Sequence, residues 1–190
     1  METLTWPSLI KGVLECQKCP LHPHRHVLGT GSKTADLMVI GMSPSKEDSI
    51  RGTPFVGPAG TLLRETLASV NSGPVYLTNT VHCRPVDDRG MNRDPTPYEL
   101  VQCADWLQQE VYLVNPRVVL LLGKTAIPIG FPGARPSQAS NKLRAAEWCG
   151  ATRVFVGCYH PAAVLRQEQL AAEFTASVRA AVKLVSTLRG

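Results

Sequence analysis

The stretch Asp36-Leu-Met-Val-Ile-Gly-Met-Ser-Pro-Ser45 decides how the chain folds. Four consecutive apolar residues run straight into a glycine and then a turn of small residues and proline. The run is too short for a stable helix and shows no alternation, so residues 36–42 read as a strand buried on both faces. The pattern recurs at Val75-Tyr-Leu-Thr-Asn-Thr-Val81, Arg117-Val-Val-Leu-Leu-Leu122 and Thr152-Arg-Val-Phe-Val-Gly157. Between these strands, residues 59–70 and 97–114 have helical periodicity, a short helix is expected over 124–129, and a terminal helix over 169–188. The 97–114 helix carries its own start signal: Thr96 as N-cap, Pro97 in the first turn and Glu99 as the capping-box acid. Alternating strands and helices predict an α/β fold. The expected form is a three-layer α/β/α sandwich around a central, mostly parallel four-stranded sheet, in one domain over residues 1–190. Residues 84–96 and 130–141 are rich in proline, glycine and polar residues and read as loops.

The bulk composition narrows the function class. Of 190 residues, 44% are hydrophobic and 18% charged, enough for a full core. No apolar run approaches the roughly 20 residues of a membrane helix. The N-terminus lacks the pattern of a signal peptide, so a cytosolic protein is expected. A formal net charge of +5 and a pI near 9.0 suit a polyanionic partner met by a folded face, because no basic tail is present. A monomer is the expected state.

In doubly wound sheets, ligands sit beyond the carboxyl ends of the strands. The chemistry-bearing residues fall there: Gly41 to Ser45 after the first strand, Asn79 near the end of the second, and His160-Pro161 after the fourth. Glycines and prolines at 41–60 hold turns whose backbone can approach a flat ligand. Asn79 brings a carboxamide there, with donor and acceptor side by side. Phe55 offers a stacking face. His160 brings an imidazole, a side chain suited to hydrogen-bond donation and general acid–base work.

These residues lie in blocks that resemble the iron–sulfur (family 4) branch of the uracil-DNA glycosylase superfamily. The first block matches at Glu47-Asp48, Gly52, Pro54-Phe-Val-Gly57 and Ala59-Gly60. The second is Leu77-Thr-Asn-Thr-Val-His-Cys-Arg-Pro85, similar to a strand that ends in Thr-Asn and continues to Lys-Cys-Arg-Pro. The third, Tyr159-His-Pro-Ala-Ala-Val-Leu-Arg166, is similar to the family's Tyr-His-Pro motif. Shorter matches bring the resemblance to roughly residues 13–185. It implies a DNA partner, base flipping and hydrolysis of the N-glycosidic bond of uracil or a modified pyrimidine. Gly41, Met42, Phe55 and Asn79 would bind the base, and His160 would be catalytic. Leu165 would wedge into the vacated stack and Arg166 would meet phosphate. No lysine occupies a motif position for Schiff-base chemistry, so a monofunctional enzyme is implied.

Six cysteines are present. Cys16-x-x-Cys19 is a metal half-site, and with Cys83 and Cys103 it makes a four-thiolate set that suits either Zn²⁺ or an iron–sulfur cluster. The resemblance places a [4Fe–4S] cluster on those four. Cys149 and Cys158 read as ordinary thiols.

One departure concerns the chemistry itself. The family has a glutamate after its first glycine that positions the attacking water; this chain has Met42. Three accounts stand: catalysis with other groups, Ser43 or Asp48 holding the water; a pocket retuned to a 5-substituted pyrimidine; or a catalytically silent member that binds DNA or a partner.

Overall fold

The computed structural model describes residues 3–189. In chain order the elements are α1 (Trp6–Leu14), β1 (Thr30–Gly31), β2 (Leu37–Gly41), α2 (Lys46–Arg51), α3 (Pro58–Ser69), β3 (Val75–Asn79), α4 (Pro97–Val114), β4 (Val118–Leu122), α5 (Gly123–Gly130), α6 (Pro136–Ala139), β5 (Leu143–Trp148), β6 (Ala151–Cys158), α7 (Pro161–Val164) and α8 (Ala171–Arg189). The sheet order is β1-β3-β2-β4-β6-β5. The four strands read from the sequence are its parallel centre, and β1 and β5 are antiparallel edges.

The expected four-stranded sheet is therefore corrected to six. β1 has two residues, too few to leave a pattern. β5 is mostly exposed, so it lacks the apolar run that marks the central strands. It is tied to β6 by a tight turn in which Cys149 and Gly150 both take positive φ, 51° and 79°. That is the backbone of a two-residue hairpin turn whose twist matches its strands.

Alternation along the strands divides the core into two layers. Leu37, Val39, Leu77, Leu120 and Leu122 pack with Leu63 of α3 and Phe174 and Val178 of α8. Met38, Ile40, Tyr76, Val119 and Leu121 pack with Leu107 and Val111 of α4 and Ile127 of α5. α4 starts as expected: Thr96 Oγ1 accepts from Glu99 N at 3.2 Å, and Glu99 Oε2 accepts from Thr96 N at 2.7 Å. It ends at Asn115 in the left-handed region. Among the described residues no helix is long and apolar enough to cross a membrane.

The topology fixes where a site can form. The chain runs from β2 to β3 on one side, then crosses to β4 on the other, which makes the β2–β4 gap a switch point. Gly41, Asn79, Leu122 and Cys158 end the four parallel strands at the same edge.

Candidate active site and cysteine site

At that edge lies a cleft of about 910 Å³, lined among others by Met42, Phe55, Asn79, His160 and Leu165. Its floor is made by close backbone approaches. A Cβ on Gly41 would sit 2.5 Å from Asn79 Oδ1 and 2.6 Å from Phe55 Cζ, so only glycine lets amide and ring converge there. Asn79 is 4% exposed, and its carboxamide has no hydrogen-bond partner among the described residues. Met42 is partly buried, and its carbonyl accepts from Thr80 Oγ1 at 2.6 Å and Val81 N at 3.3 Å. Ser43 lines the cleft beside it.

Phe55 takes φ 59°, a strained conformation for an aromatic residue. The surroundings hold it there. Arg64 donates from Nε to the Phe55 carbonyl and from Nη2 to the Pro54 carbonyl, both at 3.2 Å. Gly60 presses against that same Phe55 carbonyl, where a Cβ would not fit.

His160 caps α7. Its Nδ1 accepts from Ala162 N at 3.2 Å, which makes Nε2 the protonated nitrogen of the neutral ring. Burial, and then the nearby Arg166 charge, push its pKa down to about 4, so the ring is neutral at physiological pH. Gly123, at φ 75°, packs against the backbone and Cβ of His160, where its own Cβ would be 2.8 Å from His160 Cβ. Leu165, 55% exposed, ends α7, with exposed Arg166 beside it. The structure thus gathers Gly41, Met42, Ser43, Phe55, Asn79 and His160 at one strand edge, with Leu165 and Arg166 at the cleft's rim.

Asp48 also borders the cleft, but its carboxylate is already occupied. Oδ2 accepts from Ser45 N at 2.9 Å and Oδ1 from Val56 N at 2.7 Å. Ser45 and Asp48 form the capping box of α2, so the reading of Asp48 as a water-positioning acid gives way to a structural one. The Ser-x-x-Asp spacing was the available signal.

Sequence reading also missed a cleft wall. The 84–96 segment is an ordered turn: Val86 pairs with Asn92, Asp87 N donates to Met91 O at 2.9 Å, and Arg84 Nε donates to Asn92 Oδ1 at 2.5 Å. Arg93 holds it by a bidentate pair with Glu99 at 2.6 and 2.8 Å. Asp94 then pairs with Lys124 across the cleft mouth.

The four cysteines Cys16, Cys19, Cys83 and Cys103 line a second, small cavity between α1, the end of β3 and α4. Trp106 Nε1 donates to Cys16 Sγ at 3.2 Å, and His82 N donates to Cys103 Sγ at 3.4 Å. Burial pushes the Cys83 thiol up to about 12, so without a cation it stays protonated. Among the described residues no three His, Cys, Asp or Glu side chains are gathered closely enough to hold one metal ion. A single Zn²⁺ would need its sulfurs about 2.3 Å from one point, whereas a cluster spreads them over several iron atoms. The four-cysteine donor set, with N–H donors already aimed at two of its sulfurs, fits a thiolate-bound metal group. His22 borders this cavity and His26 Nε2 lies 3.1 Å from the Cys16 carbonyl. Cys158 is buried in the core layer of β6, and Cys149 sits in the β5–β6 turn.

Comparison with known proteins agrees with this geometry. Residues 28–183 match the family model of the uracil DNA glycosylase superfamily. The chain is 35% identical over 183 residues to the type-4 uracil-DNA glycosylase of Archaeoglobus fulgidus, covering 92% of this chain and 89% of that one. The type-4 enzyme of Thermotoga maritima is 35% identical over 158 residues, 81% and 80% of the two chains. That of Pyrobaculum aerophilum is 34% identical over 171 residues, 85% of each. A switch-point cleft holding an unpartnered amide, an aromatic ring and a neutral imidazole, together with these matches over nearly the whole length, places the chain in the uracil DNA glycosylase superfamily.

Proposed function

We propose that this chain is a monofunctional DNA glycosylase that hydrolyses the N-glycosidic bond of uracil, or of a modified pyrimidine, flipped into the cleft. The observation that carries the reading is His160, a buried neutral imidazole whose Nδ1 is engaged by Ala162 N. Its remaining N–H is a fixed donor for a pyrimidine O2 that gains negative charge as the bond breaks.

The other residues take roles that follow from their surroundings. Asn79 reads the N3–O4 edge with an amide that has no internal partner to give up. Phe55, held by Arg64 and Gly60, stacks on the base. Leu165 fills the stack the base leaves, and Arg166 meets phosphate. Water adds to C1′ as the base departs with the bonding pair, and Ser43 holds that water beside Met42. With no carboxylate at position 42, most of the rate comes from leaving-group stabilisation. A [4Fe–4S] cluster on Cys16, Cys19, Cys83 and Cys103 would tie the N-terminal segment to β3 and α4. The protein works on DNA as a monomer in the cytosol.

The test uses anaerobically purified protein with oligonucleotides carrying uracil, 5-hydroxymethyluracil or a bulkier pyrimidine. Released base is followed by mass spectrometry, with a His160→Ala control. Uracil release abolished in the control is expected. Release of a modified base alone would assign Met42 to substrate choice. Binding with no release from any substrate would overturn the enzyme reading and leave a DNA-binding protein.

A further inference from the structure

A buried chain of polar groups joins the cysteine site to the base-reading strand, and the glycosylase chemistry does not use it. Glu110 of α4 is fully buried. Its Oε1 accepts from Gly29 N at 2.9 Å and the Tyr76 hydroxyl at 3.1 Å, and its Oε2 from the Thr78 hydroxyl at 2.5 Å. His82, 1% exposed, sets Nε2 3.4 Å from Glu110 Oε1, close but not aligned as a hydrogen bond. On the ring's other side, Nδ1 lies 3.4 Å from Cys103 Sγ, which also receives the His82 backbone N–H at 3.4 Å.

We propose that His82 is an outer-sphere partner of the metal-bound Cys103 sulfur, holding it with two N–H···S hydrogen bonds, one from its backbone and one from its ring, and raising the cluster's reduction potential. A metal-bound thiolate carries no proton and can only accept, so the nitrogen facing it must donate. Two donors on one sulfur stabilise the added electron of the reduced state, and in a buried site little solvent screens the effect. On the ring's other side, Glu110 lies 3.4 Å from Nε2 and accepts from Thr78, the residue before Asn79, so the buried polar chain reaches from the cysteine site to the base-reading strand. His82 stands where the resembling family motif has lysine, whose flexible ammonium lacks a planar ring to fix one donor at the sulfur.

The inference rests on reading the four cysteines as an iron–sulfur site. The experiment compares wild type with His82→Asn, His82→Gln and His82→Leu, purified anaerobically. Iron and sulfide content and the reduction potential are measured. Asparagine places its amide nitrogen near the position of Nδ1, whereas glutamine places it near Nε2. His82→Gln and His82→Leu should move the redox equilibrium about tenfold toward the oxidised cluster, 59 mV for one electron. His82→Asn should recover most of that change. Wild-type potentials in all three loaded variants would overturn the role of His82 and leave the cluster reading intact. If the variants lose their clusters, reduced wild-type protein labelled with ¹⁵N-histidine supplies the measurement. Hyperfine coupling from a histidine nitrogen to the cluster is expected, and its absence overturns the proposal. Wild-type protein without iron and sulfide would overturn both readings at once.

Discussion

Replacing His160 by asparagine separates two jobs that alanine would remove together. His160 caps α7 through Nδ1, and loss of an N-cap costs about 0.5–2 kcal/mol. Asparagine is a strong N-cap residue, so the variant should keep the helix start while removing the Nε2–H. The loss should then fall on chemistry. One preorganised donor to a developing oxyanion is worth about 2.7–4 kcal/mol, a 10²–10³-fold drop in rate. The assay is single-turnover release of uracil with enzyme in excess, alongside thermal unfolding. The pH dependence follows from the same geometry. Burial lowers the His160 pKa from 6.5 to about 4, so the neutral donor persists through the mildly acidic range. The acid limb due to this group should lie near 4 rather than 6.5. The sign for stability is fixed as well. The unfolded chain binds the proton more readily between those values, so the His160 contribution to stability rises with pH across the window and is complete above it. A His160→Asn rate within threefold of wild type would refute the reasoning. So would a wild-type limb near 6.5 that vanishes in the variant.

Other perturbations read separate parts of the site. Gly41→Ala puts a methyl within 2.6 Å of both the Asn79 amide and the Phe55 ring. It should cost about 1–3 kcal/mol by overpacking and lower kcat/KM by at least tenfold, read by melting and base release. Leu165→Ala changes an exposed side chain, so stability should move by less than about 0.5 kcal/mol. Uracil release from duplex should fall several-fold while release from single strands stays near wild type. Arg93→Met leaves Glu99 buried without its bidentate partner. Because Arg93 is about a third exposed, the cost should be near 2 kcal/mol, below that of a fully buried pair, and limited proteolysis should open residues 86–92.

What the sequence disclosed depended on how local each signal was. The parallel strands announced themselves because both faces are buried and their apolar runs are continuous. Helix α4 did so because Thr96, Pro97 and Glu99 carry its start within four residues. Strand β5 stayed hidden because its exposed face gives no hydrophobic pattern and its pairing is fixed by a turn. The strained φ of Phe55 was equally silent: it depends on Arg64 and Gly60, and the local residue type argues against it. The 84–96 segment looked like a polar loop because its order comes from arginine side chains folding back on carbonyls. The Glu110–His82 contact joins positions 28 residues apart on different elements, which no periodicity can reveal.

Asp48 shows how a motif residue can match its family and still do work other than chemistry. Three acids border the cleft; Asp48 and Asp94 are paired elsewhere, and Glu47 is exposed. Asp48 closes the α2 capping box and accepts from Val56 N, which places the backbone beside Phe55. Asp94 pairs with Lys124. Glu47, exposed, is held below the usual carboxylate range first by its backbone N–H and then by the Ser45 hydroxyl. A base that must take a proton from water is poorly served by a carboxylate already stabilised in its charged form. Asp48→Asn tests the consequence directly. Its amide would turn an N–H toward either Ser45 N or Val56 N, leaving one donor unpaired at a cost of about 1–3 kcal/mol. Melting should therefore drop, while the single-turnover rate of the folded enzyme stays within threefold of wild type. A 10²-fold rate loss with an unchanged melting temperature would return Asp48 to the chemistry and reverse the division of labour argued from its hydrogen bonds.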